Sequence, residues 1–235
     1  MTDKKTTLQD GIILWISYHL FDALRQVSVF QQIRNLSKWL WNRNYTKKNP
    51  NATHEEKNAY WKEHRPFTLG FLFPEIWVLS NIALAIIGCI IVRKETTEWI
   101  CWLFCLYAIL RTLELFVYQV NVLLFDPIKM GRSTYRIKSA TRTVLLLICN
   151  IFEYILWFSV VYLFMYRGQA LNVDNLHIVM GSGTMFANIA SPEDFKISDI
   201  VFVAYVESAI GIFMNIVCLA RFISLLPPVQ SIDEN

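Results

Sequence analysis

Hydrophobic positions in this chain fall into blocks, with little of the alternation or even spacing of a soluble fold. Four blocks approach or exceed twenty residues: 76–92, 99–125, 143–166 and 200–226. About 20 apolar residues in a helix match the hydrocarbon core of a bilayer, so each block predicts a spanning helix. Their ends carry stop and start signals. Pro74 and Glu75 open the first, because proline suits a first helical turn, and Arg93, Lys94 and Glu95 close it. Asp126-Pro127 ends the second and Pro227-Pro228 the fourth, since proline lacks the donor that would continue a helix. The second block is longer than a bilayer requires, which predicts a tilt or a projecting end.

The first 73 residues are patterned differently. From 8 to 41, apolar residues recur at helical spacing (Ile13, Ile16, Leu20, Leu24, Val27) and are interrupted by Asp22, Arg25, Gln26, Gln32, Arg34 and Lys38. Such a mixture predicts an amphipathic helix lying on a surface, either the membrane or the protein's own body. Residues 42–65 are polar and read as a cytosolic linker. A cleavable leader is not expected, because Asp3 and Asp10 precede the apolar stretch 11–24 and no small-residue cleavage site follows it.

Composition agrees with a membrane protein: 54% of residues are hydrophobic and 17% charged, against about 25% charged in soluble domains. The net charge of +3 is too small to argue for nucleic acid. Its distribution is more informative. Residues 1–73 hold eleven Lys or Arg against six Asp or Glu, and 126–142 hold five against one. Residues 167–199 hold only two, against four acidic. The positive-inside rule then predicts both termini in the cytosol, in a multi-pass protein of the plasma membrane. The expected organisation is a cytosolic or interfacial region 1–73, a peripheral two-helix unit 74–139, a unit 140–228, and a tail 229–235.

Five polar residues sit deep in the predicted spans: Arg111 and Glu114 in the second, Asn150 and Glu153 in the third, Glu207 in the fourth. Charged groups at mid-bilayer cost about 2.5–3.5 kcal/mol on insertion scales, so they are expected to face protein or water. Arg111 and Glu114 share a helix face, as do Asn150 and Glu153. Self-pairing of Arg111 with Glu114 and an interhelical Arg111–Glu153 pair, with Asn150 as hydrogen-bonding partner, both satisfy the pattern.

Between the third and fourth blocks, the stretch from Leu176 to Ala187 is apolar but too short to cross, and the polar residues to Lys196 follow it. It reads either as an ordinary extracellular helix or as a re-entrant segment. The sequence Tyr205-Val206-Glu207-Ser208-Ala209-Ile210-Gly211, with Leu219-Ala220-Arg221 further on, completes a layout of span, short helix, polar turn, acidic residues and span. This layout resembles the two-transmembrane, pore-loop cation (potassium) channel superfamily of bacterial type, over residues 140–227. The resemblance implies an all-α membrane protein with a re-entrant pore-like helix between the third and fourth spans, assembled as a homo-tetramer in the lipid bilayer and passing inorganic cations. It implies filter positions at Thr184, Ala187, Asn188, Ile189, Ala190 and Ser191, an outer mouth at Glu193 and Asp194, and an inner helix with Glu207 at the cavity and Gly211 as a hinge. Where potassium channels have glycines in the filter, this chain has none after Gly183, so the filter is non-standard.

Other chemistry finds no pattern here. His19, His54, His64 and His177 lack metal spacing, Met180 stands where a nucleophile elbow needs its first glycine, and neither a Walker loop nor a His-Glu-x-x-His motif occurs. The five cysteines lie in hydrophobic blocks and read as small buried residues. No cofactor and no enzymatic activity are expected. A non-conducting scaffold or sensor is the alternative to a channel.

Overall fold

Among the described residues, seven α-helices of twelve or more residues organise the fold, and one of them, the third long apolar helix, is the post against which several others stand. The computed structural model describes residues 11–50, 53, 56–57, 60–61, 64, 66–70, 72–94, 97–125, 140–167, 174–192 and 198–225. In chain order the helices are α1 (Ile12–Val27), α2 (Val29–Lys48), α3 (Phe73–Lys94), α4 (Glu98–Val120), α5 (Ala140–Met165), α6 (Asn175–Phe186) and α7 (Ser198–Leu225). No strand occurs among the described residues. Four of the helices, α3, α4, α5 and α7, are long and apolar enough to cross a membrane. The chain is an all-helical, multi-pass membrane protein whose apolar helices face lipid.

Helix α5 packs against α3, α4, α6 and α7. From Trp157 to Leu163 it is buried on every side, which is how a helix at the centre of a bundle differs from one with a single apolar stripe. Close approach of α3 to its neighbours depends on Gly88: a Cβ there would lie 2.9 Å from the Phe104 ring and 3.2 Å from Val160. Small residues at such crossings let helices meet where no water-driven force exists. Polar contacts add direction. Tyr107 donates to Asn81 Oδ1 at 2.7 Å, joining α4 to α3, and its ring meets Trp157 edge-on. Arg142 and Glu75 pair at the starts of α5 and α3. At the opposite end, Arg93 donates to Asn175 Oδ1 at 3.0 Å and fastens the start of α6 to the end of α3.

The N-terminal region departs from expectation in two ways. The predicted continuous helix over 8–41 is two helices, broken at Ser28, whose ψ of 141° is extended and whose Oγ accepts from Gln31 N as an N-cap. The predicted linker 42–65 is helical to Lys48. Tyr45 is buried there, stacked on Trp41 and close to the Tyr60 ring. Aromatic packing thus overrides a polar composition. Helix α1 has two apolar faces. Tyr18 and Phe21 pack on Phe125, and Phe21 also on Phe116. Ile13, Ile16, Leu20, Leu24 and Val27 point outward and are exposed.

The predicted second span is also interrupted. α-Helical bonding stops at Val120 and a π-type turn runs from Asn121 to Phe125. Asn121 Nδ2 donates both to the Val117 carbonyl, at 2.9 Å, and to the Phe21 carbonyl of α1, at 3.0 Å. This side chain therefore pins α1 to the end of α4. The loop 126–139, Glu193, Asp194 and the tail 229–235 lie outside the described residues.

Candidate functional site

Two buried polar clusters lie on opposite flanks of α5, and each contains residues singled out by the sequence. The first is built on α4. Arg111 is 4% exposed and faces α5, where its Nε meets Glu153 Oε1 at 2.5 Å and its Nη2 meets Oε2 at 3.1 Å. This is the two-pronged geometry in which guanidinium and carboxylate match best. Nη1 turns back along α4 to Glu114 at 2.6 Å. Both pairings allowed by the spacing are therefore made at once. Trp157 Nε1 adds a longer bond to Glu153 at 3.4 Å, and the Arg111 guanidinium lies 5.6 Å from the centre of the Trp77 ring. Asn150 is buried, but its Oδ1 accepts no hydrogen bond, so the expected role as partner of the pair is not made through that atom.

Glu114 has a second partner that spacing alone did not suggest. Its Oε1 accepts the backbone N–H of Phe30 at 2.7 Å. The break at Ser28 leaves that N–H without an intrahelical acceptor, and a carboxylate at a helix start is also favoured by the helix dipole. The cluster consequently joins α2, α4 and α5.

The second cluster seats α6. Its buried face carries Ile178, Ser182, Met185 and Phe186, while Leu176 and Met180 face outward. Glu207 of α7 is fully buried and is held by hydroxyls, not by a cation: Tyr162 of α5 donates to Oε2, and Ser182 Oγ lies 2.5 Å from Oε1. Ser182 Oγ also lies 3.0 Å from the Ile155 carbonyl, so its single proton has two acceptors in reach. One turn along α7, the Phe186 carbonyl would be 2.1 Å from a Cβ at Gly211. That glycine admits the end of α6, and its role in this structure is close packing.

Helix α6 ends at the positions the resemblance assigned to a filter. Asn188 has φ 59°, the left-handed region that asparagine tolerates better than most residues. Asn188 N–H bonds the Met185 carbonyl and Ile189 N–H the Thr184 carbonyl, both at 2.9 Å. Together these form a Schellman stop. Ala190 N–H also reaches the Thr184 carbonyl, at 3.3 Å, and Thr184 Oγ1 donates to the Gly181 carbonyl. Ser208 of α7 donates to Asn188 Oδ1 and ties the turn down. Ala187, Asn188, Ile189 and Ser191 are exposed, Ile189 at 80%.

Sequence reasoning passed over Tyr162, Ser182 and Asn215. The first two carry hydroxyls inside apolar runs and stand out only beside the carboxylate they serve. Asn215, within the α7 span, is exposed, with Ile212, Ile216 and Leu219 around it. Among the described residues, no three His, Cys, Asp or Glu side chains are placed to hold a metal ion. No protein-family model, curated protein or solved structure matches the chain.

Proposed function

We propose that the chain assembles into an oligomeric pore, four copies around an axis beside α7, through which inorganic cations pass passively. The observation that carries this reading is the seat of α6. Its twelve residues give roughly 18 Å of helix, too little for a ~30 Å hydrocarbon core. Yet it is clamped between two spanning helices by buried hydrogen bonds and by the Gly211 contact. Such a helix dips into the membrane and returns, and irregular backbone at that depth requires protein or a water-filled path around it. Asn215 supports assembly. A lone amide on a lipid-facing surface is unfavourable, and a neighbouring copy or a water column satisfies it.

In this arrangement both termini are cytosolic in the plasma membrane. The exposed apolar stripe of α1 lies in the headgroup region, and Glu193 and Asp194 ring the outer entrance. The acidic excess of residues 167–199 amounts to −8 for four copies, which concentrates cations. Purified protein in planar bilayers is expected to show unitary cation currents, reduced at low salt by Glu193→Lys.

A second reading, a non-conducting membrane scaffold or sensor, is favoured by the Schellman stop. A filter of the potassium-channel kind needs free backbone carbonyls, and here the Thr184 carbonyl is occupied by two N–H groups. Electrical silence across a range of voltages, pH values and ions, with tetramers retained in mild detergent, selects that reading. A monomer removes the pore.

A further inference from the structure

Helix α2 is anchored at one end and uncovered along one side. At its start Phe30 stacks on Phe73, the first residue of α3, with ring centres 5.3 Å apart, and the Phe30 N–H is held by Glu114 of α4. Both contacts lie at the end of the bundle where α3 begins, so α2 leaves the spans close to the bilayer surface. Its inward side is packed on the protein. Trp41 donates to the His64 carbonyl at 3.1 Å, and Tyr45 is buried against the Trp41 and Tyr60 rings.

The opposite side is open. Val29, Leu36, Leu40, Arg43 and Lys47 follow one another at helical spacing and form one stripe, which Trp39 flanks. Leu36 is 56% exposed and Trp39 54%, and Arg43 and Lys47 are exposed beside them. The Arg43 guanidinium lies over the Trp39 ring, 5.2 Å from its centre.

Charge decides what such a face meets. Over its 20 residues α2 carries five cations (Arg34, Lys38, Arg43, Lys47, Lys48) and no Asp or Glu. Among the described residues, none of the five forms an ion pair. A solvated face accounts for the cations but not for Leu36, Trp39 and Leu40, and neither does a nucleic acid, whose phosphates leave leucines uncovered. Exposed leucines and a tryptophan beside unpaired cations are the composition of a helix that lies in the interface of an anionic leaflet.

We propose that the open side of α2 docks on the anionic lipid surface of its own membrane, with Leu36, Trp39 and Leu40 entering the headgroup layer and Arg43 and Lys47 meeting the lipids' negative groups. The proposal rests on the placement of α1 at the headgroups and not on conduction.

The test is hydrogen exchange, read by mass spectrometry, on the full-length chain in nanodiscs of phosphatidylcholine alone or of an equal mixture with phosphatidylserine. Amides of residues 36–48 are expected to exchange about tenfold more slowly in the mixture. At 1 M salt, where the screening length falls to about 3 Å, the slowing should largely disappear. Arg43→Gln with Lys47→Gln should also remove most of it, since each cation near an anionic surface strengthens binding about fivefold. Both substitutions touch only exposed side chains, and the salt arm needs no variant. Equal exchange in the two lipids overturns the proposal, as does slowing that survives both salt and the double variant. Protection that follows protein concentration instead of lipid charge also overturns it and assigns the face to a second copy. Exchange in α1 separates two kinds of failure. A protected α1 beside an unprotected α2 sinks this proposal alone, whereas exposure of both removes the headgroup placement of α1 as well.

Discussion

The flanks of α5 solve the same problem in opposite ways. On the α4 side, buried carboxylates are matched by a guanidinium and by a backbone N–H. On the α6 side, a fully buried carboxylate is matched only by hydroxyls. The first arrangement is rigid in its charge requirement, because loss of one partner strands the others. The second is forgiving, because a hydroxyl can turn from donor to acceptor. This difference separates a structural joint from a seat whose occupant can be reset.

Removing the cation should break the contrast most forcefully. Arg111→Met leaves Glu114 and Glu153 facing each other without compensation, and a loss of about 3–5 kcal/mol is expected in thermal or denaturant unfolding in detergent. Adding Glu153→Met should recover part of it. An Arg111→Met protein as stable as wild type would mean that the joint is not held by charge.

Gly211→Ala tests the seat from the packing side. The new methyl collides with the Phe186 carbonyl, a backbone atom that cannot step aside alone, so α6 must lift from α7. About 1–3 kcal/mol is expected, the usual range for overpacking, together with loss of any current. If Gly211 served only as a hinge, stability would hold while gating changed.

Glu207→Gln should have the smallest effect, about 1 kcal/mol or less, since the Tyr162 and Ser182 hydroxyls can reorient to the amide. A cost as large as that of Arg111→Met would erase the distinction between the flanks.

The spans and the charged joint were legible because each rests on a strong local signal. Block length marks α3, α4, α5 and α7, and opposite charges recurring at helical spacing on adjacent spans bring Arg111 to Glu153. Weaker signals failed for identifiable reasons. Ser28 breaks the N-terminal helix with no Pro or Gly beside it, and what makes that break tolerable is a carboxylate 84 positions beyond Phe30, whose N–H it accepts. The polar composition of 42–48 concealed a helix held by stacked rings at Trp41 and Tyr45. At Asn188, a filter position by resemblance, the sequence did not announce the left-handed φ and the side-chain bond from Ser208 that stop α6. Two of these contacts, Phe30 with Glu114 and Asn188 with Ser208, are distant in sequence, which periodicity does not report.

The bond from Phe30 to Glu114 gives the N-terminal arm a latch. Peeling α2 away would uncover a backbone donor and half of a carboxylate in the same motion, and would loosen one of the two grips on Arg111. Displacement of α2 would therefore bear directly on the contact between α4 and α5, without passing through any of the loops that connect the spans.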